Sequence, residues 1–361
     1  MTKPRDGSRA PVTLRTVSRL DDMPQAARAL FADPAVGPLF ATAAWFECVI
    51  EAALPRDAQP CFVIVACGHR VLAVVPLRID AHRHGPDALT TPYTCLYRPL
   101  LAPRLSPTEL EAAGRAFGRF CRRFATARLD AMAGDDAELA GFWAGARRAG
   151  IGPLGFLHFA NWHEDVGGLA WPAYLAARPG RLRETIRRRL ARAERDRAVS
   201  FDILRAPADA DRAAEIYAAV YASSWKEREP FPAFNATLIV RAAALGLLRL
   251  GVLRLDGRPV AVQFWIVCGG VATVLKLAHD EAVRAMSPGT VLMAMMVRHL
   301  LEVERVASLD FGRGDDAYKK EWANRRRERV GVVLVNPMRP AGLAFALRHY
   351  AGRALRRLRA V

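Results

Sequence analysis

Two short hairpins, one in each half of the chain, constrain this sequence more than any other feature. In the first half, apolar β-branched runs over 61–67 and 71–79 are joined by Gly68-His69-Arg70. In the second half, runs over 248–255 and 259–268 are joined by Asp256-Gly257, and a third run over 271–279 follows Gly269-Gly270. Apolar runs around such turn residues predict antiparallel strand pairs. After each hairpin the pattern predicts the same order of helix, strand, helix and strand. The first set covers 108–124, 127–132, 136–149 and 155–159; the second covers 287–304, 307–311, 316–323 and 329–335. Helices over 26–31 and 40–54 precede the first set. Helices over 171–177, 181–196, 209–223 and 236–245, with a strand over 199–204, precede the second.

A repeated order of this kind indicates an internal duplication, in pattern rather than in letters. The expected class is α/β (α+β), with two tandem domains of the same type, each a mixed sheet flanked by helices. The expected boundaries are 1–165, 166–338 and a basic C-terminal helix over 339–361. A chain of 361 residues with 52% apolar content can bury two cores.

The formal charge of +17 comes almost entirely from arginine, which supplies 48 of the 53 basic residues. Such an excess draws anionic ligands, although a GC-rich codon bias explains it equally well. The six cysteines show no CxxC spacing or paired clusters, so neither a zinc site nor a disulfide framework is expected, and no metal is assigned. The N-terminus lacks an apolar signal segment, and the longest apolar stretch, 260–275, is interrupted by Gln263 and Gly269-Gly270. A reducing, cytoplasmic location is expected. The tail carries Arg348, Arg353, Arg356, Arg357 and Arg359 beside Leu343, Phe345, Leu347, Leu355 and Leu358. It is read either as a peripheral contact with the inner face of an anionic membrane or as a helix packed on the first domain.

Two segments carry chemistry. Ser287-Pro288-Gly289-Thr290 opens a helix directly after a strand, and Arg284 precedes it. A helix N-terminus offers unpaired N–H groups and partial positive charge, which suits a phosphate. Gly289 lets a ligand approach the backbone closely, and Pro288 suits the first turn. The second segment runs from Leu309 through Asp310, Gly312, Gly314, Asp315, Asp316, Tyr318 and Lys319 to Trp322. Strand ends beside glycine turns are ligand-binding places in open α/β sheets.

His279 and Lys276, near the end of the preceding strand, join them on the expected cleft side. Asp280, Glu281, Asp310, Asp315 and Asp316 are the carboxylate candidates. Trp225 and Arg228, in the loop Ser-Ser-Trp-Lys-Glu-Arg-Glu-Pro, are placed in an acceptor pocket. Asn161 to Asp165 are expected to shape one wall of the cleft between domains. The nine arginines between Arg178 and Arg197 fall on a helix whose apolar stripe is Leu182, Ile186 and Leu190. Its exposed side, with Arg183, Arg187 and Arg188, is read as a place for an anionic substrate carrier, tRNA or a membrane, or as a solvated helix face.

Arg284-Ala-Met-Ser287-Pro-Gly289 resembles the GNAT pyrophosphate loop R/Q-x-x-G-x-G/A, with serine at the first glycine. Combined with Asp310-Phe-Gly-Arg-Gly-Asp-Asp-Ala-Tyr-Lys-Lys-Glu-Trp322, the pattern resembles the CelD/BcsL family of acetyltransferases, related to Fem-type (FemAB-like) aminoacyltransferases. The likeness covers 171–335, including Gln263 in its strand. It implies two GNAT-like domains and acyl transfer to an amine or hydroxyl on an envelope sugar, exopolysaccharide or related metabolite. Acyl-CoA is the implied co-substrate, with no permanently bound cofactor. Aminoacyl-tRNA is the alternative donor, and a non-catalytic basic scaffold for a polysaccharide synthase is the alternative to an enzyme.

The resemblance implies Tyr318 as proton donor to the leaving thiolate and Lys319 as a phosphate or oxyanion ligand. The expected set is therefore catalytic Asp315, Tyr318, Lys319 and His279; donor-binding Arg284, Ser287, Gly289 and Thr290; and substrate-binding Trp225, Arg228, Gln263, Lys276, Asp310 and Trp322.

Overall fold

The computed structural model describes residues 11–83 and 85–358, with side chains described to residue 352. Of the tail residues named above, Arg359 and the side chains of Arg353, Leu355, Arg356, Arg357 and Leu358 lie outside the described residues.

The first half runs β1 (Val12–Val17), α1 (Gln25–Arg28), α2 (Ala43–Ala52), β2 (Ala58–Cys67), β3 (Arg70–Asp80), β4 (Asp87–Ala88), β5 (Leu100–Leu101), α3 (Pro107–Cys121), β6 (Thr126–Ala133), α4 (Ala137–Arg148) and β7 (Gly152–Asp165). The second half begins with α5 (Trp171–Ala176), α6 (Gly180–Arg195), β8 (Val199–Leu204), α7 (Ala210–Ala222), α8 (Pro232–Ala244), β9 (Leu248–Leu255), β10 (Arg258–Cys268) and β11 (Val271–His279). It ends with α9 (Pro288–Glu302), β12 (Ser308–Arg313), α10 (Lys319–Trp322), β13 (Arg325–Val335) and α11 (Pro340–Leu358).

Both hairpins form where the turn residues place them. Gly68 and Gly257 take positive φ (58° and 77°), a conformation glycine adopts without strain. Three expectations need correction. The helix expected over 40–54 is interrupted at Thr42, whose hydroxyl accepts from Trp45 N–H at 3.2 Å and restarts the chain as α2. The strand expected over 155–159 is the longer β7. The helix expected over 316–323 shrinks to the four residues of α10, because Gly312 and Gly314 turn the chain (φ 69° and 108°) before a helix can begin.

All strands belong to one mixed sheet in the order β1-β2-β3-β4-β6-β13-β7-β12-β11-β10-β9-β8, with β5 beside β3. The two halves mirror each other around its centre, but their last strands are exchanged: β13 lies between β6 and β7, and β7 lies between β13 and β12. The residue 165/166 boundary thus falls at the end of a strand that pairs with the second half. Helices cover both faces. One core joins the faces of α2, α3, α4, α7 and α8; the other packs α5, α6 and α9 on β9–β12. Leu182 and Ile186 of α6 are buried there while Arg183, Arg187 and Arg188 are exposed, as the stripe predicts. In α11, Phe345 packs on Leu154, Val333 and Val335, whereas Leu343 and Leu347 are exposed. No helix among the described residues is long and apolar enough to cross a membrane.

Candidate active site

The sheet opens between β11 and β12. These parallel strands pair only from Val271↔Ser308 to Thr273↔Asp310. Beyond that point β12 stays with β7, where Arg313 pairs with Asn161, and β11 stays with β10. Two local devices separate them. Leu275 is an extra residue on β11, between the pairs Trp265↔Val274 and Phe264↔Lys276, and such a bulge turns the strand. On β12, Gly312 has φ 69° and passes so close to the Val274 carbonyl oxygen that a Cβ would lie 2.6 Å from it.

Asp310 fixes that bend. Its Oδ1 accepts from Gly312 N–H at 2.8 Å and from Asn161 Nδ2 at 2.7 Å, and its Oδ2 accepts from Arg327 at 2.7 Å. Asn161 completes the clamp by donating to Gly312 O at 2.8 Å and accepting from Arg327 Nε at 2.6 Å. Asp310 was expected to bind substrate, but its carboxylate is buried in this clamp.

The opening is a cavity of about 400 Å³ on the α7–α8 face of the sheet. Trp225, Lys276, Tyr318 and Lys319, all candidates from the sequence, line it. Lys319 is almost fully buried and donates to Arg313 O at 2.6 Å, with Asp316 Oδ2 2.8 Å away. Burial, reinforced by Asp316, raises the pKa of the Tyr318 hydroxyl and keeps it protonated.

The adjacent aspartates separate. Asp316 lines the cavity, whereas Asp315 accepts from Trp162 Nε1 at 2.7 Å and pairs with Arg326 at 3.1 Å outside it. Expected as catalytic, Asp315 instead stands on the exposed rung formed with β7 and β13. Trp322 is also displaced: it is buried in the α9 core, and its carbonyl accepts from Tyr174 Oη and from Arg178. Arg228 is exposed and is not among the lining residues.

The donor-binding candidates gather at the start of α9, against the opposite face of the sheet. Ser287 takes the left-handed conformation (φ 56°, ψ 48°), and its carbonyl accepts from Thr290 and Val291 N–H at 3.1 Å each. The serine therefore adopts a backbone shape for which glycine is best suited. Gln263 is buried, donates to Gly289 O at 3.3 Å and accepts from Trp265 Nε1 at 2.9 Å. His279 lies beside Gly289, its Nδ1 3.4 Å from where a Cβ would stand. Burial lowers the His279 pKa more than Glu281 and Asp280 raise it, so the ring is neutral at pH 7. Trp225 packs on that ring, tilted by 46° with the centroids 4.4 Å apart, and so links the two faces. Arg284 is exposed and lies 3.7 Å from Glu281. Arg189 and Arg192 of α6 line a small cavity with Met286 and Pro288, and the buried Arg189 Nε has no partner there.

Sequence reasoning missed Glu229, a carboxylate behind the cleft wall that bonds two of its lining residues, Tyr93 and Lys276. It accepts from Tyr93 Oη, from Tyr217 Oη at 3.4 Å and from Lys276, whose Nζ lies 2.8 Å away. Burial pushes its pKa up, but bonds from Lys276 and Tyr93 outweigh that and hold it below the usual glutamate range. Tyr93 comes from the first half of the chain, and its ring lies 4.6 Å from Lys276 Nζ. Only the charge alternation in Lys226-Glu227-Arg228-Glu229 hinted at such pairing. Arg313 and Lys226 also line the cleft unanticipated.

Residues 180–320 match the family model of the acetyltransferase (GNAT) domain. The match lies within the second half and supports an acyltransferase. Comparison with curated protein sequences finds no match. Among solved structures the chain is similar to FemX, with TM-score 0.58 and 11% identity, over 89% of this chain and 98% of that one. It is also similar to a tandem GNAT protein from the clavulanic acid biosynthesis pathway, with TM-score 0.53 and 12% identity over 90% and 98% of the two chains. A third likeness is the C-terminal domain of a protein assigned as a lysylphosphatidylglycerol synthetase from Agrobacterium fabrum, with TM-score 0.50 and 16% identity over 78% and 85%. These likenesses establish the fold: two GNAT-type halves on a shared mixed sheet.

Proposed function

We propose that this protein transfers an acetyl or other acyl group from acyl-CoA to an amine or hydroxyl of an envelope, exopolysaccharide-related or small-metabolite acceptor. The observation that carries the reading is the opening of β11 from β12 beside the start of α9. On one face, the α9 N-terminus at Ser287, Gly289 and Thr290 suits a pyrophosphate, and Arg189, Arg192 and Arg284 add positive charge nearby. The opening frees β11 from β12 beyond Thr273, where strand N–H groups can receive the oxyanion that develops on the acyl carbon.

In the transfer, the acceptor lone pair attacks the thioester carbonyl carbon and the C–S bond breaks. The acceptor loses a proton and the thiolate gains one. Asp316, the carboxylate that lines the cleft, takes the acceptor proton; Tyr318, held protonated by burial, donates to the thiolate. His279 is neutral and packs tilted against Trp225, where it positions that ring. Thiol release from acetyl-CoA, followed across a panel of amino sugars, polyols and amines, tests the reading. Tyr318→Phe is expected to lower kcat about 100-fold with little change in KM. Wild-type-like turnover in that variant would remove Tyr318 from the mechanism.

A second reading, in which aminoacyl-tRNA is the donor, is favoured by the exposed arginines of α6. It requires tRNA binding that weakens steeply with salt and with neutralisation of Arg187 and Arg188. Cytoplasmic location and the CelD/BcsL affiliation are part of the same proposal.

A further inference from the structure

Lysine is informative in this chain because it is scarce. Five lysines stand beside 48 arginines, yet three of the five, Lys226, Lys276 and Lys319, line the one cleft between β11 and β12. Arg313 is the fourth cation in its wall. Their counter-charges are incomplete. Glu229 matches Lys276 and Asp316 matches Lys319. Lys226 and Arg313 stand in no ion pair among the described residues: Lys226 lies over the Trp225 ring at 5.4 Å, and Arg313 contacts the His158 ring nitrogen at 2.9 Å. The four cations thus have two direct carboxylate partners, Glu229 behind the wall and Asp316 in it, while Asp130 reaches Arg313 only through His158. A half-buried charge whose carboxylates stand beyond ion-pair distance is incompletely compensated, and the site is relieved when an anion enters.

Resting on the acyl-transfer reading, we propose that the acceptor carries an oxyanion, a phosphate or carboxylate, which this lysine cluster binds between Lys226 and Arg313. The faces of the sheet separate this anion from the donor's phosphates. Lys276 is paired with Phe264 on the α7–α8 face, whereas Gln263, the next residue of β10, bonds Gly289 at the start of α9 on the other. The anion's site therefore lies across the sheet from the donor's. Burial, with Lys276 second, depresses the Lys226 pKa, and a bound anion would raise it again.

Calorimetric titration of the full chain with CoA, and with inorganic pyrophosphate while saturating CoA occupies the donor's phosphate site, tests this. Wild type is expected to bind pyrophosphate, Lys226→Gln to bind it about tenfold or more weakly, and Asp316→Asn to bind it more tightly. CoA affinity is expected to change less than about twofold in Lys226→Gln. Equal pyrophosphate affinity in wild type and Lys226→Gln would overturn the proposal. So would a parallel loss of CoA affinity, which would assign the anion to the donor. The opposite response of Asp316→Asn keeps the test decisive if Lys226→Gln folds poorly. Failure of CoA to bind wild type at all strikes the acyl-CoA reading instead, and leaves the pyrophosphate arm to judge the cleft.

Discussion

At the scale of single residues, function and stability pull on different members of one short segment. Asp310, Asp315 and Asp316 lie within seven residues, yet the first clamps a backbone bend, the second pairs outside and the third faces the cleft. Asp310→Ala would leave Arg327 and Asn161 without their shared partner and is expected to destabilise by about 3 kcal/mol in urea unfolding. Asp315→Ala, on an exposed pair, is expected to change stability by less than about 1 kcal/mol and to leave turnover intact. Ser287 sits in the left-handed region, so Ser287→Gly is expected to stabilise by about 1 kcal/mol, whereas Ser287→Val destabilises.

The Glu229 pair supplies a pH test. Its folded pKa lies below the usual 4.5, so its contribution is complete above that value and is lost as pH falls through the lower folded one. Wild type should therefore lose more stability than Glu229→Gln between about pH 5 and pH 3, as followed by thermal melting at stepped pH. Parallel loss in both proteins would mean that the Lys276 pair does not form.

At the scale of elements, the opening depends on one glycine and one extra residue. Gly312→Ala places a Cβ against the Val274 carbonyl at positive φ and is expected to destabilise by more than about 2 kcal/mol, with loss of ligand binding at the cleft. The hairpins, α9 and the α6 stripe were legible in the sequence because local turn chemistry and periodicity define them. Tyr318, Lys319, Lys276 and Trp225 were legible as one site because a strand end and a loop brought them to the same edge of the sheet. Glu229 and Asn161 were not, since their partners lie far away in sequence: Tyr93 for one, Asp310 and Arg327 for the other. Which of Asp315 and Asp316 faces the cleft was equally hidden, because a left-handed glycine turn breaks the alternation that would have assigned faces.

At the scale of the whole molecule, the exchange of β7 and β13 ties the halves together. The repeat was visible as an order of elements, but an exchange leaves no mark in hydrophobic periodicity, since either strand presents the same pattern to either neighbour. A chain ending at residue 323 would remove β13 from between β6 and β7 and is expected to lose cooperative unfolding in both halves. The intact chain should melt in a single calorimetric transition, and two separated transitions would show that the halves are independent. The arrangement also places the cleft wall on both halves, with Tyr93 from one and Lys276 and Tyr318 from the other.

The most direct test of acyl transfer at this site is calorimetric titration of the full chain with acetyl-CoA, wild type against Gly289→Val. Saturable one-to-one binding in wild type is expected. It should weaken about tenfold or more when a branched side chain occupies the start of α9 beside His279. No binding at millimolar acetyl-CoA, or equal binding by both proteins, would contradict the account.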